Sequence, residues 1–334
     1  MAKLKAIFVF EQCGGQSIRW VGRCPSCGAW NALVEEIVES PSKATAVPEE
    51  AASPTSVSEV ALEDTARLPS GIVELDRVLG GGLVPGSVTL LGGEPGIGKS
   101  TLLLLVAGRL SERGVRVLYV SGEESLRQTK LRAMRLGLGG SSIQLLVQTR
   151  LAAVEEAIRK TAPQVVIIDS IQVLESDEFT SGAGSISQVR ACAYSLTRLA
   201  KTQGHALLVV GHITKEGYLA GPKVLEHMVD TVLYFEGEPT SGFRVLRSSK
   251  NRFGATNEIG VFHMTAEGLV EVSNPSELFL SDRGEGVPGC MVTVCLEGSR
   301  PLLVELQALT APCSMGLPRR KVNGVEFNRV AMLL

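Results

Sequence analysis

The residues best suited to chemistry form one short string. Gly93-Glu94-Pro95-Gly96-Ile97-Gly98-Lys99-Ser100 fits G-x-x-x-x-G-K-[ST] at every fixed position. It follows an apolar run, Ser87-Val88-Thr89-Leu90-Leu91, and opens a helical pattern from Lys99 to Arg113. Strand, glycine-rich turn and helix start together make a phosphate cradle. Glycines let backbone N–H groups curl around oxygens, and the helix start adds the positive end of its dipole. On this reading Gly93, Glu94, Pro95, Gly96, Ile97 and Gly98 wrap the phosphates of ATP. Lys99 reaches the β- and γ-phosphates, Ser100 ligates Mg²⁺ and Thr101 lies toward the α-phosphate.

Three further strings carry groups such a site needs. Val165-Val166-Ile167-Ile168-Asp169 is an apolar strand ending in a carboxylate, suited to holding Mg²⁺ through water, with Ser170 and Gln172 beside it. Tyr119-Val120-Ser121-Gly122-Glu123-Glu124-Ser125 sets two carboxylates beyond another strand. Glu123 is the first candidate to orient an attacking water, and Glu124 the second; an exposed acidic turn is the plainer alternative. Gly211-His212-Ile213-Thr214-Lys215 follows a fourth apolar run, so His212 and Thr214 can sense a γ-phosphate, unless His212 is only a loop histidine. His205, His227 and His263 show no ligand spacing and read as structural.

The elements that must position these groups alternate. Between 69 and 270, apolar strand runs are separated by helical patterns at 152–160 and 186–203. That alternation predicts right-handed βαβ units and a mostly parallel sheet. Closely spaced strand patterns from Thr231 to Val270 predict antiparallel hairpins at its end. The stretch Asp177–Ser187 reads as a flexible loop.

The chain has 334 residues, 44% of them hydrophobic, 20% charged and 4% aromatic, with a formal charge of −2. This excludes a disordered chain, a collagen and a coiled-coil rod. Near-zero net charge argues against a protein coated in nucleic acid but leaves room for a local basic groove. No apolar run reaches a membrane span, and Ala6–Phe10 is too short for a secretion signal, so the chain reads as cytoplasmic. Composition divides it into a Cys/Gly/Trp-rich module (1–33), an acidic flexible linker (34–68), the α/β domain (69–270) and a final segment (271–334). The last segment ends in an uncapped amphipathic helix, Phe327–Leu334, and reads as an incomplete domain.

The ordered set of motifs resembles the bacterial RadA (Sms) family, a branch of the RecA-like ATPases. The likeness rests on Gly22-Arg23-Cys24-Pro25-Ser26-Cys27-Gly28-Ala29-Trp30, on the phosphate loop, on the strings around Glu123, Asp169 and His212, and above all on Lys250-Asn251-Arg252-Phe253-Gly254. The resemblance implies a ring, expected to be a homo-hexamer, whose ATPase responds to DNA. The expected partners are single-stranded and branched DNA and a RecA-type recombinase filament, and the expected activity is branch migration. Lys250 and Arg252 then either reach a neighbour's γ-phosphate or grip DNA in the channel, with Phe253 stacking on a base or packing the loop.

The family pattern for the first module is two C-x₂-C pairs holding zinc. Here Cys13, Cys24 and Cys27 are present and Phe10 stands where the first cysteine belongs, so three thiolates hold Zn²⁺ more weakly than four. The alternative is a metal-free, redox-exposed arm. Trp20 and Trp30 read as core supports of this small fold rather than base-stacking groups. Glu285–Gly289 and Arg300–Ala308 resemble the start of a Lon-protease-like domain. An ATP-dependent protease is therefore one rival reading, although no peptidase dyad is assignable, and a nucleotide-switched DNA-binding scaffold is the other.

Overall fold

The computed structural model describes residues 4–10, 16–17, 19–23, 30, 33–39, 56, 66–212, 224–237, 242–276, 280, 288–312 and 320–333. A small antiparallel sheet comes first. Its central strand β1 (Leu4–Phe10) lies between β2 (Gln16–Ser17) and β3 (Leu33–Glu39). β3 pairs with β1 from Leu33↔Phe10 through Glu39↔Leu4. The first module therefore runs past the expected boundary at residue 33. Glu35 and Glu36, which read as the start of an acidic linker, sit inside a strand with Val34, Ile37 and Val38. Composition missed it because the pairing partner is distant in sequence.

The second sheet carries the site. In chain order come α1 (Val73–Leu79), β4 (Val88–Gly93), α2 (Lys99–Glu112), β5 (Val117–Ser121), α3 (Leu126–Arg135) and β6 (Gln144–Val147). Then follow α4 (Leu151–Thr161), β7 (Val165–Asp169), α5 (Ile186–Gln203), β8 (Ala206–His212) and α6 (Val224–Met228). The segment closes with β9 (Thr231–Glu236), β10 (Phe243–Asn251), β11 (Ile259–Met264) and β12 (Leu269–Glu271). The nine strands run in the order β12-β11-β10-β9-β4-β8-β7-β5-β6. Pairings from β9 to β6 are parallel, and those from β9 through β10 and β11 to β12 are antiparallel.

Continuous apolar runs form these strands because helices cover both faces. Successive residues point to opposite sides. Leu91, Val117, Ile167 and Leu208 pack with α2 residues Leu102, Leu103 and Val106 in one core. Leu90, Val120, Ile168 and Val209 pack with α4 and α5 residues Val154, Ile158, Val189 and Leu196 in the other. The loop expected to be flexible before α5 is anchored. The buried Gln188 amide donates to the carbonyls of Ser176, Phe179 and Ser181 at 3.1, 3.0 and 2.9 Å.

Contacts divide the chain into two units, residues 1–273 with 297–300, and 274–296 with 301–334. β13 (Cys290–Glu297) pairs with β14 (Arg300–Gln307), both in the second unit except for Glu297 and Arg300 at their ends, and α7 (Phe327–Leu333) follows. Within the first unit, Arg300 donates to Glu74 Oε2 at 2.7 Å and to the Ser273 carbonyl at 2.6 Å. Glu74 Oε2 also accepts from the Val261 N–H at 2.8 Å, and both charged side chains are buried. Removing one partner of a buried pair strands the other charge. Arg300→Ala is expected to lower unfolding stability by about 3–5 kcal/mol, and leucine at both 74 and 300 to recover most of that. Equal urea midpoints for wild type and Arg300→Ala would contradict this.

Candidate active site

The strand order β4-β8-β7-β5 brings four carboxyl ends side by side. Gly93 pairs with His212, and Ser121 pairs with Asp169. This is where open parallel sheets bind ligands.

The phosphate loop bridges β4 and α2. Gly96 has φ +79°, a conformation an L side chain rarely adopts, with open space where a Cβ would stand. Gly98 has φ +115°, and a Cβ there would come 2.7 Å from Met264 Cε. Backbone conformation favours glycine at both positions, and at the second the flexible end of Met264 would also have to move for a side chain. Lys99 opens α2 and is 4% exposed. Its Nζ donates to the carbonyls of Gly93 at 2.7 Å and Glu94 at 2.8 Å. Burial lowers its pKa from 10.5 to about 8, against the pull of Asp169, Glu123 and Glu94. Ser100 is half-buried and Thr101 buried on the same first turn.

Asp169 closes β7 and is nearly buried. Tyr119 on β5 donates its hydroxyl to Asp169 Oδ2 at 2.5 Å. Burial, together with the Asp169 charge, raises the phenol pKa well above 10.0, so the proton stays on Tyr119. Tyr119 escaped the sequence reading as a site residue. Its signal was one polar-tipped aromatic in an otherwise aliphatic run. The Asp169–Ser170 peptide is cis.

Glu123 lies just past β5. Its Oε1 accepts from Ser170 Oγ at 2.6 Å and lies 3.1 Å from His212 Nε2. Burial alone would raise its pKa. The hydrogen bonds from Ser170 and His212, with the His212 and Lys99 charges, outweigh it and leave the carboxyl below its ordinary 4.5. Glu123 is thus an ionised acceptor tied to groups on β7 and β8. Glu124, the second candidate base, has other partners. Its carboxylate pairs with Arg132 of α3, and its backbone N–H bonds to Ser121 Oγ at 3.2 Å, so it is occupied on the α3 side. Thr214 lies outside the described residues, as do Cys13, Cys24 and Cys27. Phe10 is 1% exposed, an interior side chain with no donor to offer a metal. No cluster of three metal-ligating side chains occurs among the described residues.

The 250–254 string occupies the other end of the sheet. Register runs from Asn251 through Thr231 to Thr89, at the start of β4. Gly93 lies at the far end of that strand, about 13 Å along it. Lys250 Nζ donates to the carbonyls of Glu226 at 2.6 Å and Val229 at 2.7 Å, at the end of α6. Asn251 Nδ2 donates to the Val78 and Leu79 carbonyls at 3.4 and 3.3 Å, and Arg252 to Asp230 at 3.2 Å. Phe253 is exposed, and Gly254 packs against Gly80. Within this chain the string is a staple among α1, α6 and the sheet, remote from the phosphate loop.

The expectation for the two tryptophans is overturned. Trp20 is 61% exposed and Trp30 69%. The buried aromatic of that module is Phe10.

Known proteins bear out this architecture. An ATPase domain of known structure shares the fold, with a TM-score of 0.55 and 15% identity over 64% of this chain and 94% of that one. Residues 54–218 match the AAA domain family, and residues 9–35 the rubredoxin metal binding domain family. Fold and site define a RecA-like ATPase. The chain is 52% identical to the DNA repair protein RadA of Halalkalibacterium halodurans, 49% to that of Bacillus subtilis and 50% to that of Brucella abortus, each over all of this chain and 74% of the relative. It belongs to the RadA family of DNA repair proteins.

The Lys99 geometry yields a pH prediction. The folded chain binds fewer protons than the unfolded one between pH 8 and 10.5, so the cost of charging buried Lys99 is full below pH 8 and fades as pH rises through that window. A polyphosphate against Nζ favours the charged form. Nucleotide binding is therefore expected to take up protons increasingly from about pH 7 to about pH 9, as Lys99 loses its proton in the free protein. Calorimetry in buffers of different ionisation heat reads this directly. Uptake that does not grow with pH would contradict it.

Proposed function

We propose that the chain is a DNA-stimulated ATPase of recombinational repair. In this reading it couples ATP hydrolysis to movement on single-stranded and branched DNA, and drives branch migration beside a RecA-type recombinase filament. It works as a ring, taken to be a homo-hexamer, in the cytoplasm. The observation that carries the reading is the Glu123 carboxylate, held by Ser170 and His212 beside buried Lys99 and Asp169.

Each side chain has a part. Lys99 exchanges its two carbonyl partners for β- and γ-phosphate oxygens. Gly93, Glu94, Pro95, Gly96, Ile97 and Gly98 line the phosphates with backbone N–H groups, and Thr101 lies toward the α-phosphate. Ser100 and Asp169 hold Mg²⁺, with Tyr119 fixing the Asp169 carboxylate. Bound Mg²⁺ supplies charge neutralisation for the phosphoryl group. Glu123, ionised by its surroundings, accepts a hydrogen bond from water and orients it. His212 bridges Glu123 to β8, so loss of the γ-phosphate is felt along that strand, with Thr214 as the second sensor.

Lys250 and Arg252 act across a subunit boundary or on DNA phosphates. The sheet register supports this, since neither residue sits near its own phosphate loop. Cys13, Cys24 and Cys27 are the candidate zinc ligands, weakened by Phe10, and the match to a rubredoxin metal binding domain supports a metal role. Residues 271–334 are read as part of a Lon-protease-like domain, on the likeness of 285–289 and 300–308.

The test is ATP turnover with and without single-stranded oligonucleotide, in the intact chain and in Arg252→Ala. The intact chain is expected to speed up with DNA. A residue completing a neighbour's site is worth on the order of 10³-fold, whereas a DNA contact would show as a shallower salt dependence. Turnover indifferent to oligonucleotide defeats the reading, and unchanged stimulation in Arg252→Ala removes Arg252 from it.

A further inference from the structure

Two exposed indoles in one small module call for an explanation, because tryptophan is among the most buried side chains on average. Trp20 and Trp30 converge over Gly22. Trp30 Cζ3 lies 3.8 Å, and Trp20 Cη2 and Cζ3 3.9 Å, from where a Cβ on Gly22 would stand. The backbones of Arg23 and Trp30 form an antiparallel bridge, and the Arg23 guanidinium lies 5.7 Å from the Trp30 ring centroid. Arg19 and Arg23 lie in a stretch, 12–34, that holds no carboxylate and is flanked by Glu11 and Glu35. Arg19 and Trp20 are both exposed.

We propose that Trp20, Trp30 and Arg23 form a stacking platform for the unpaired bases of single-stranded DNA. The inference rests on the reading above that this chain binds DNA, and adds a binding site remote from the ATPase centre in sequence. The chemistry favours nucleic acid. Base faces stack on indoles irrespective of sequence, and a guanidinium over the ring adds cation–π attraction while its charge answers the phosphates.

The chain holds two tryptophans, and both stand here, so indole emission of the whole native protein reports on this site alone. Oligothymidylate is expected to quench that emission, saturating at the concentration that saturates the stimulation of ATP turnover. An abasic oligonucleotide of the same length is expected to quench little, because it carries phosphate without a stacking face. Trp20→Ala and Trp30→Ala should each weaken oligothymidylate binding roughly ten-fold, with phenylalanine at either position restoring part of the loss.

Emission unmoved by oligothymidylate that does stimulate turnover overturns the platform and leaves DNA binding elsewhere on the chain. Equal quenching by the abasic strand also overturns it, since charge alone would then be at work. Emission that instead follows protein concentration would assign the indoles to a second copy of this chain. If neither emission nor turnover responds to DNA, the functional reading fails with it.

Discussion

A lysine ammonium kept out of water under a loop of glycines is the constraint on which the rest of the molecule depends. An ammonium without compensation in the interior costs several kcal/mol. Here two loop carbonyls accept its hydrogen bonds, and Asp169, Glu123 and Glu94 supply opposing charge, yet burial still brings its pKa to about 8. Such a group is poised for an anionic ligand. The sheet order follows from the same need: inserting β8 between β4 and β7 sets His212 beside Gly93, with Asp169 on the next strand. Two cores on opposite faces, both built from aliphatic side chains, keep those strand ends in register.

The opposite end of the sheet carries a second group of cations with a different kind of restraint. Lys250 is bound to two carbonyls, and Asp230, itself buried, accepts from Arg252 and the Val88 N–H. Asp230 thus joins the start of β4 to the string 250–254, while β4 ends at the phosphate loop. On the proposed function, this continuity is a route between hydrolysis and the 250–254 string that runs through a single strand.

Much of this was legible in the residues because the strong signals are local. β7 and α5 fall at the expected bounds, since an apolar run bounded by Pro163 and a helix closed by Gly204 have clear edges. The phosphate loop was equally plain. α3 was not anticipated: its surface is charged and little of it is buried, although Ser125 and Gln128 form a capping box that announces its start. β6 escaped as a four-residue, half-exposed edge strand. β3 was hidden in an acidic stretch because its evidence is a pairing partner and not its own composition. Glu123 already ranked before Glu124 in the residues alone; the fold adds their partners, Ser170 and His212 for the one and Arg132 for the other. The exposure of Trp20 and Trp30 could not be read from residue type, which favours burial.

The central claim is that Glu123 activates water against a nucleotide held by Lys99. Its most direct test compares nucleotide affinity with turnover in Glu123→Gln, using a fluorescent ATP analogue for binding and phosphate release for chemistry. The account predicts affinity within a few-fold of wild type and turnover lower by roughly 10²–10⁴-fold. Turnover close to wild type, or loss of affinity in proportion to the loss of turnover, would contradict it.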